Sequence, residues 1–384
     1  GARNGGAVKV ALAQDFIRHG GAEKVLEELH ALWPDATVYT LLAEPNEQYA
    51  AWDIRTSWLQ KLLPDSMYRV PFPLYPGIVD RMRFPDDIDL LVSVSVSWFK
   101  SLQAPPGVPH LCYICRPMMF AYERQADFLS RYPAPLRPLL RALIGRVRKW
   151  DQRTAHRPDH FVALSDYCAG LVRKLYGRDS EVVYPPVDTE AFEAAGRARE
   201  PGDYFLTVAR LESYKRVDLI VEACTRLGLP LKVAGRGPLL DELRRAAGPT
   251  VEFLGFVADG ELPALYAGCR AFLFAAEEDF GIAPVEAMAA GRPVLAFAAG
   301  GCLETVRPGV SGAHFAAQTA DSLAAALQDF DPAAYPAEAV REHAGGFAAA
   351  VFRRRMREAA ERLVQRAAGV AVAGPGDPRQ ARAQ

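Results

Sequence analysis

The chain has 384 residues, half of them hydrophobic and 24% charged, with a formal net charge of −1. That length exceeds one ordinary core and predicts two folded domains, and the near-zero charge excludes a molecule that holds nucleic acid by its overall field. No uninterrupted apolar run reaches the roughly 18 residues that cross a bilayer, and the opening "GARNGG" has no signal-type apolar stretch and reads as a flexible end.

The first strand is expected at 8–16 ("VKVALAQDF"), followed by the glycine turn "RHGGAEK" and a helix over 22–33. Short apolar runs at 36–42, 89–97, 110–115 and 160–165 are bounded by turn residues, and runs apolar on both faces suit parallel strands covered by helices. The acidic "DDID" (Asp86, Asp87, Asp89) has the look of a metal-diphosphate motif, but Asp89 opens a buried strand, so a turn and strand start is the reading preferred. Six cysteines (Cys112, Cys115, Cys168, Cys224, Cys269, Cys302) are scattered, which suits reduced thiols in a cytoplasmic protein. The one CxxC, Cys112 to Cys115, lacks a second pair or a histidine pair to complete a metal site and reads as buried structural thiols. Between Arg131 and Arg157 eight basic residues stand against one acid, Asp151, interleaved with leucines. A basic amphipathic helix of this kind either covers the core with a solvated face or lies on an anionic membrane leaflet.

At Pro185-Pro186 the chain resists both helix and sheet, and beyond it the pattern restarts. Strands are expected at 204–211, 231–235, 251–257, 271–275 and 293–301, with helices at 215–227, 238–247, 260–268 and 284–291. Two such alternations predict an α/β fold of two doubly wound parallel sheets with ligands at the carboxyl ends of their strands. The domains are expected at 1–184 and 185–346. A helix over 347–368 is expected to return toward the first domain, and the Gly/Pro/Ala-rich tail 369–384 to lack fixed structure.

Four turns at strand ends carry candidate chemistry. Gly20 and Gly21 open a helix where bare backbone N–H groups can approach a phosphate or sugar, although the GxGxxG dinucleotide spacing is absent. "ARLESYKRVD" (209–218) brackets a strand-to-helix turn with Arg210 and Lys215, two cations able to neutralise a diphosphate. "VAGRGP" (233–238) adds Gly235 and Gly237. In "AAEEDFGIAPVEAMAAG" (275–291), Pro284 suits a helix first turn. That places Glu278 and Phe280-Gly281 on the loop ahead of it and Glu286 in the first helical turn, where carboxylates can accept bonds from vicinal hydroxyls.

The segments "GGAEKVLE", "YPPVD", "ARLESYKRVDLIVEA", "GRGP", "FLGFV" and "EEDFGIAPVEAMAAGRPVLAF" together resemble the family 4 retaining glycosyltransferases of GT-B fold, over roughly residues 8 to 366. Within that family the chain is most similar to bacterial GDP-mannose-dependent mannosyltransferases of polysaccharide assembly. The resemblance implies two Rossmann-like domains facing across a cleft and no metal or other cofactor. It implies a nucleotide-sugar donor and a glycan or lipid-linked acceptor. Arg210 and Lys215 would hold the diphosphate, Glu286 the ribose, and Glu278 with the backbone of Phe280, Gly281 and Ile282 the transferred sugar. Gly20 and Gly21 would close over the phosphates or acceptor. The enzyme is expected in the cytoplasm, and where the basic helix within 131–157 lies on lipid and does not merely cover the core, as a peripheral protein of the inner membrane face.

Two stretches depart from the family pattern. "CYICRPMMFAYE" has Cys115 where relatives carry a histidine, with Arg116 beside it, and the first strand ends in "QDF" (Gln14, Asp15, Phe16) where "HDW" is common. Asp15, Cys115 and Arg116 are the candidate sugar or acceptor contacts. A UDP-sugar transferase, a GT-B epimerase and a non-catalytic nucleotide-sugar sensor are the rival readings.

Overall fold

The computed structural model describes residues 8–18, 21–62, 68 and 70–369. The opening "GARNGG" and all but the first residue of the 369–384 tail lie outside them. The chain forms two compact units: one contains the residues up to Leu164, Cys168–Val183 and those from Arg353, the other Ser165–Tyr167 and Tyr184–Phe352.

In the first unit seven parallel strands form one sheet: β1 (Val10–Ile17), β2 (Val38–Ala43), β3 (Ile54–Thr56), β4 (Leu90–Ser95), β5 (His110–Ile114), β6 (His160–Ala163) and β7 (Glu181–Val182). Every residue of β4 and β5 is buried, which is why these segments read as continuous apolar runs. The strand order is β3-β2-β1-β4-β5-β6-β7, so direction of winding reverses between β1 and β4, where Val10 pairs with Leu90. The second unit repeats the plan with β8 (Phe205–Val208), β9 (Leu231–Ala234), β10 (Val251–Gly255), β11 (Ala271–Phe274), β12 (Val294–Phe297) and β13 (Gly312–Phe315). Their order is β10-β9-β8-β11-β12-β13, all parallel, with the reversal between β8 and β11. Both units are thus Rossmann-like, and such a reversal is where doubly wound sheets bind ligands.

The strands are shorter than the apolar runs that announce them. The run 293–301 ends as a strand at Phe297, because Gly300 and Gly301 turn the chain. Helix Ala349–Ala367 ends the described chain; Arg353 donates to Glu28 and Arg362 Nη2 to Glu181 Oε2 at 2.8 Å. Those partners belong, with Arg353 onward, to the first unit. Asp87 pairs with Lys9 and Asp89 Oδ2 accepts from the Lys9 N–H at 2.9 Å, so "DDID" fastens a strand start.

The first unit buries charge. Asp15, expected to face a sugar or acceptor, is instead inaccessible: its carboxylate accepts from the N–H groups of Val96 (2.8 Å), Ser97, Trp98 and Phe99 (2.7 Å). Burial pushes its pKa up to about 6 against the pull of those four donors. The acid therefore shapes the loop after β4. Beside it Lys100 Nζ meets Asp151 Oδ1 at 2.9 Å with both side chains essentially buried.

His110, buried at the start of β5 with its ring 2.7 Å from Ser93 Oγ, has its pKa lowered to about 3 by burial and then by Arg157. The unfolded chain binds that proton near pH 6.5, so stability contributed by the neutral ring is present above 6.5 and is lost as pH falls through the window toward 3. Between pH 7 and pH 5 this cost is about 2 kcal/mol. Urea titrations at the two pH values are expected to differ less, by about that amount, in His110→Gln than in the parent; an equal difference would remove His110 as the acid-sensitive group.

Candidate functional site

The site is built from the carboxyl-end loops of the second sheet, taken in the spatial order of their strands. Phe256 follows β10, Arg236 follows β9, Arg210 to Lys215 follow β8, Glu278 to Gly281 follow β11, and Gly300-Gly301 follow β12. Neighbouring strands lie about 4.8 Å apart, so the row presents ring, cation, cation and carboxylate along one edge.

The β8 loop forms a short 3-10 turn, Ser213–Lys215, and leads into helix Val217–Leu227 through Arg216 at φ 52. Arg216 is the one non-glycine residue with positive φ among the described residues, a conformation that costs roughly 1 kcal/mol or more. Its guanidinium is held by Asp218 (3.2 Å) and Gln318 (3.3 Å), and Gln318 in turn donates to the Ala275 carbonyl at the end of β11 (2.9 Å). The strained residue thereby sets the turn that aims Lys215. Sequence reading passed over it because nothing local marks an arginine for that backbone region.

Lys215 Nζ is ion-paired with Glu278 Oε1, both side chains mostly covered at 17% and 24% exposure. The pair crosses from the β8 loop to the β11 loop, over the reversal point of the sheet. Its ammonium also lies 5.3 Å from the Tyr214 ring, whose hydroxyl receives Arg210 Nη2 at 3.0 Å. Arg210, Tyr214, Lys215 and Glu278 therefore make one cluster. Arg210 and Tyr214 are its exposed members.

Glycines let these loops touch. A Cβ on Gly235 would stand 1.8 Å from the Ala209 carbonyl oxygen, and one on Gly237 2.5 Å from that of Leu211. Both are needed so that the β9 loop can lie on the β8 loop. Gly300 and Gly301, which sequence reading absorbed into a strand, do the same for the β11 loop: the Gly301 N–H donates to the Glu278 carbonyl at 2.8 Å, and a Cβ on Gly300 would meet that oxygen at 2.2 Å. The Gly-Gly step after an apolar run was the signal available.

Phe280 is buried against Tyr184 and Phe347, each 5.7 Å between ring centres, so its side chain anchors the loop and only its backbone is available to a ligand. Gly281 (φ 89) precedes helix Ile282–Ala289, whose first N–H groups have no intrahelical acceptor and no side-chain cap. That helix starts two residues earlier than Pro284 suggested. Glu286 accordingly sits in its second turn, a correction to the expected first, because the Gly281 backbone closes the turn sooner. Its Oε2 accepts from the buried Tyr266 hydroxyl at 2.9 Å, a partner twenty positions away that sequence reading missed.

The remaining predicted residues lie in the first unit. Gly20 falls outside the described residues, and Gly21 is the exposed first residue of helix Gly21–Leu32. Asp15 is sequestered as described above. Cys115 and Arg116 follow β5, half-buried, with the Cys115 N–H on the Ser95 carbonyl (2.9 Å) and its own carbonyl accepting from Cys168 Sγ (3.2 Å). The CxxC cysteines are both free thiols. Among the described residues no three His, Cys, Asp or Glu side chains gather as a metal site.

Residues 188–331, which contain every member of this row, match the family described as "Glycosyl transferases group 1". The matched residues all lie in the second unit. Among curated proteins the chain is similar to D-inositol 3-phosphate glycosyltransferase of Mycobacterium avium, 29% identical over 228 residues, 53% of each chain. It is also similar to the GDP-mannose-dependent alpha-(1-6)-phosphatidylinositol monomannoside mannosyltransferase of Mycobacterium tuberculosis, 31% identical over 238 residues, 53% of this chain and 60% of the relative. The chain spans about half the length of the curated relatives it matches. Among solved structures, HepE of Anabaena in complex with UDP superposes with a TM-score of 0.67 at 18% identity, covering 93% of this chain and 100% of that one. Sucrose-phosphate synthase from Thermosynechococcus elongatus gives 0.68 at 19%, covering 93% and 99%. These structural likenesses show a fold of two Rossmann-like units of the GT-B kind.

Proposed function

We propose that the chain is a retaining glycosyltransferase that moves a hexose, mannose in our reading, from GDP-mannose to a glycan or lipid-linked acceptor of cell-surface polysaccharide. The observation that carries this is the Lys215–Glu278 pair at the reversal point of a sheet whose domain matches group 1 glycosyl transferases. The name of the mycobacterial mannosyltransferase supports GDP-mannose as donor. UDP-sugars are the alternative donors.

The chemistry follows from where charge develops. Breaking the sugar–phosphate bond leaves a nucleoside diphosphate and an oxocarbenium-like sugar. Arg210 and Lys215 neutralise the departing phosphates, which needs no metal in this reading. A diphosphate arriving beside Lys215 takes over its ammonium and releases Glu278 to accept bonds from sugar hydroxyls, assisted by N–H groups at the start of helix Ile282–Ala289. Glu286, fixed by Tyr266, takes the ribose. Arg236 lies 5.4 Å from the ring of the exposed Phe256 at the other end of the row, and we place the base there. No carboxylate is assigned as a covalent nucleophile, so the acceptor attacks from the face the diphosphate leaves.

We place the enzyme at the cytoplasmic membrane face, with the exposed cations Arg141, Arg146, Lys149 and Arg153 of helix Arg137–Arg153 against anionic lipid. No helix among the described residues is long and apolar enough to cross a membrane.

The test is nucleotide release from GDP-, UDP- and ADP-sugars, with and without lipid-linked acceptor. Slow release from GDP-mannose, accelerated by acceptor, is the expected result. Tight binding without release under any condition would replace the transferase by a sensor.

A further inference from the structure

A cavity of about 580 Å³ lies in the first unit between the edge strand β3 and helix Tyr75–Val79. Three arginines line it, Arg55, Arg81 and Arg83, all exposed, and so do Trp58 and Leu74. Arg81 Nη1 donates to the Gly77 carbonyl (3.0 Å), and Arg83 Nη1 to those of Asp80 (3.2 Å) and Met82 (3.0 Å). Among the described residues neither of these two arginines pairs with a carboxylate, whereas Arg55 has one, Asp53 Oδ2 at 3.3 Å. Trp58 is 56% and Leu74 54% exposed, although both are large apolar side chains.

Exposed arginines lining a cavity beside exposed apolar groups fit an anion that arrives with hydrocarbon attached. We propose that this cavity holds the phosphate of an anionic phospholipid, with Arg81 and Arg83 on the phosphate and Trp58 and Leu74 at the headgroup boundary, where tryptophan side chains settle. The proposal rests on the membrane contact assigned to helix Arg137–Arg153 and gives it a headgroup site. The two are joined in the structure. Asp80, which precedes Arg81, accepts from Trp150 Nε1 (3.1 Å) on that helix and from Arg157 Nη1 (2.7 Å) just beyond it. The cavity wall is thus fastened to the basic helix.

The experiment is co-sedimentation of the full chain with phosphatidylglycerol and with phosphatidylcholine vesicles. The parent protein is expected to pellet with the former. Two cations near an anionic surface are worth enough that Arg81→Ala/Arg83→Ala should weaken pelleting roughly thirtyfold. Trp58 is the exposed tryptophan of the five in the chain, Trp98 and Trp150 being buried and Trp33 and Trp52 half-buried. A blue shift of emission on adding phosphatidylglycerol vesicles, abolished in Trp58→Phe, is therefore expected as a second readout. Parent-like pelleting of Arg81→Ala/Arg83→Ala, while Arg141→Ala/Arg146→Ala/Lys149→Ala/Arg153→Ala loses it, would overturn the headgroup site and leave the membrane contact standing. No pelleting of the parent protein would overturn both. Calorimetric binding of inorganic phosphate at millimolar concentration without any vesicle binding would assign the arginines to a soluble anion and overturn the lipid.

Discussion

Lys215→Ala is expected to lower nucleotide-sugar turnover by about 10²–10³-fold, the usual cost of removing one preorganised contact to developing negative charge, while the protein stays folded. The ammonium is held at the end of the β8 loop by the strained Arg216 turn and sits on Glu278 across the reversal point of the sheet. A diphosphate bound there would meet a charge already in place, so little reorganisation is needed as the bond breaks. The loss in stability should be small. Glu278 keeps about a quarter of its side chain in water, so an unpaired carboxylate can be hydrated and the pair is worth far less than a buried one. Arg210→Ala, which removes a hydrogen bond to the exposed Tyr214, should lose turnover by at least as much, with no change in the thermal transition. The double variant Lys215→Ala/Glu278→Ala relieves the unpaired acid but also removes the sugar contact assigned to Glu278, so its turnover should stay low. Parent-like turnover in Lys215→Ala, with circular dichroism unchanged, would remove the cation from the reaction.

The second large effect lies away from that row. Lys100→Met is expected to destabilise the first unit by about 3–5 kcal/mol, because it strands Asp151 without a counter-ion in an interior that excludes water. Lys100 is essentially inaccessible, and burial holds its pKa below the usual lysine range despite Asp151. Besides the carboxylate it donates to the Asp151 carbonyl (2.8 Å) and to Ser101 Oγ (3.1 Å), and the Tyr122 hydroxyl donates to Asp151 Oδ2 (2.6 Å). The network ties the turn after β4 to helix Arg137–Arg153. Replacing both charges, in Lys100→Met/Asp151→Leu, should recover most of the loss, since apolar pairs of similar volume often match a buried ion pair. Denaturant titration of the parent, the single and the double variant measures this. A single variant as stable as the parent would show that Asp151 is relieved some other way.

Much of the architecture was legible because it rests on local chemistry. Strands buried on both faces, such as β4 and β5, cannot alternate and so announce themselves as apolar runs. Pro185-Pro186 and the glycines at 235 and 237 punctuate them. Residue chemistry was less readable. Asp15 resembles a ligand-facing acid, yet its oxygens are spent on the N–H groups of residues some eighty positions ahead. Phe280 offers only its backbone to a ligand, because its ring is packed between Tyr184 and Phe347. In both cases the deciding partner is distant along the chain, where neither periodicity nor turn signals carry information.

Hydrophobic pattern and turn residues alone determined that this chain folds as two parallel α/β units and that its charged and glycine-bearing turns fall at strand ends. Only the tertiary structure decided which of those residues meet. Strand order brings the β8 and β11 loops together, so Lys215 finds Glu278 sixty-three positions away, while Asp15 and Lys100 are drawn inside. Periodicity is a property of neighbours in sequence, whereas desolvation and pairing of charge depend on neighbours in space, and these become defined only once the sheet has its order.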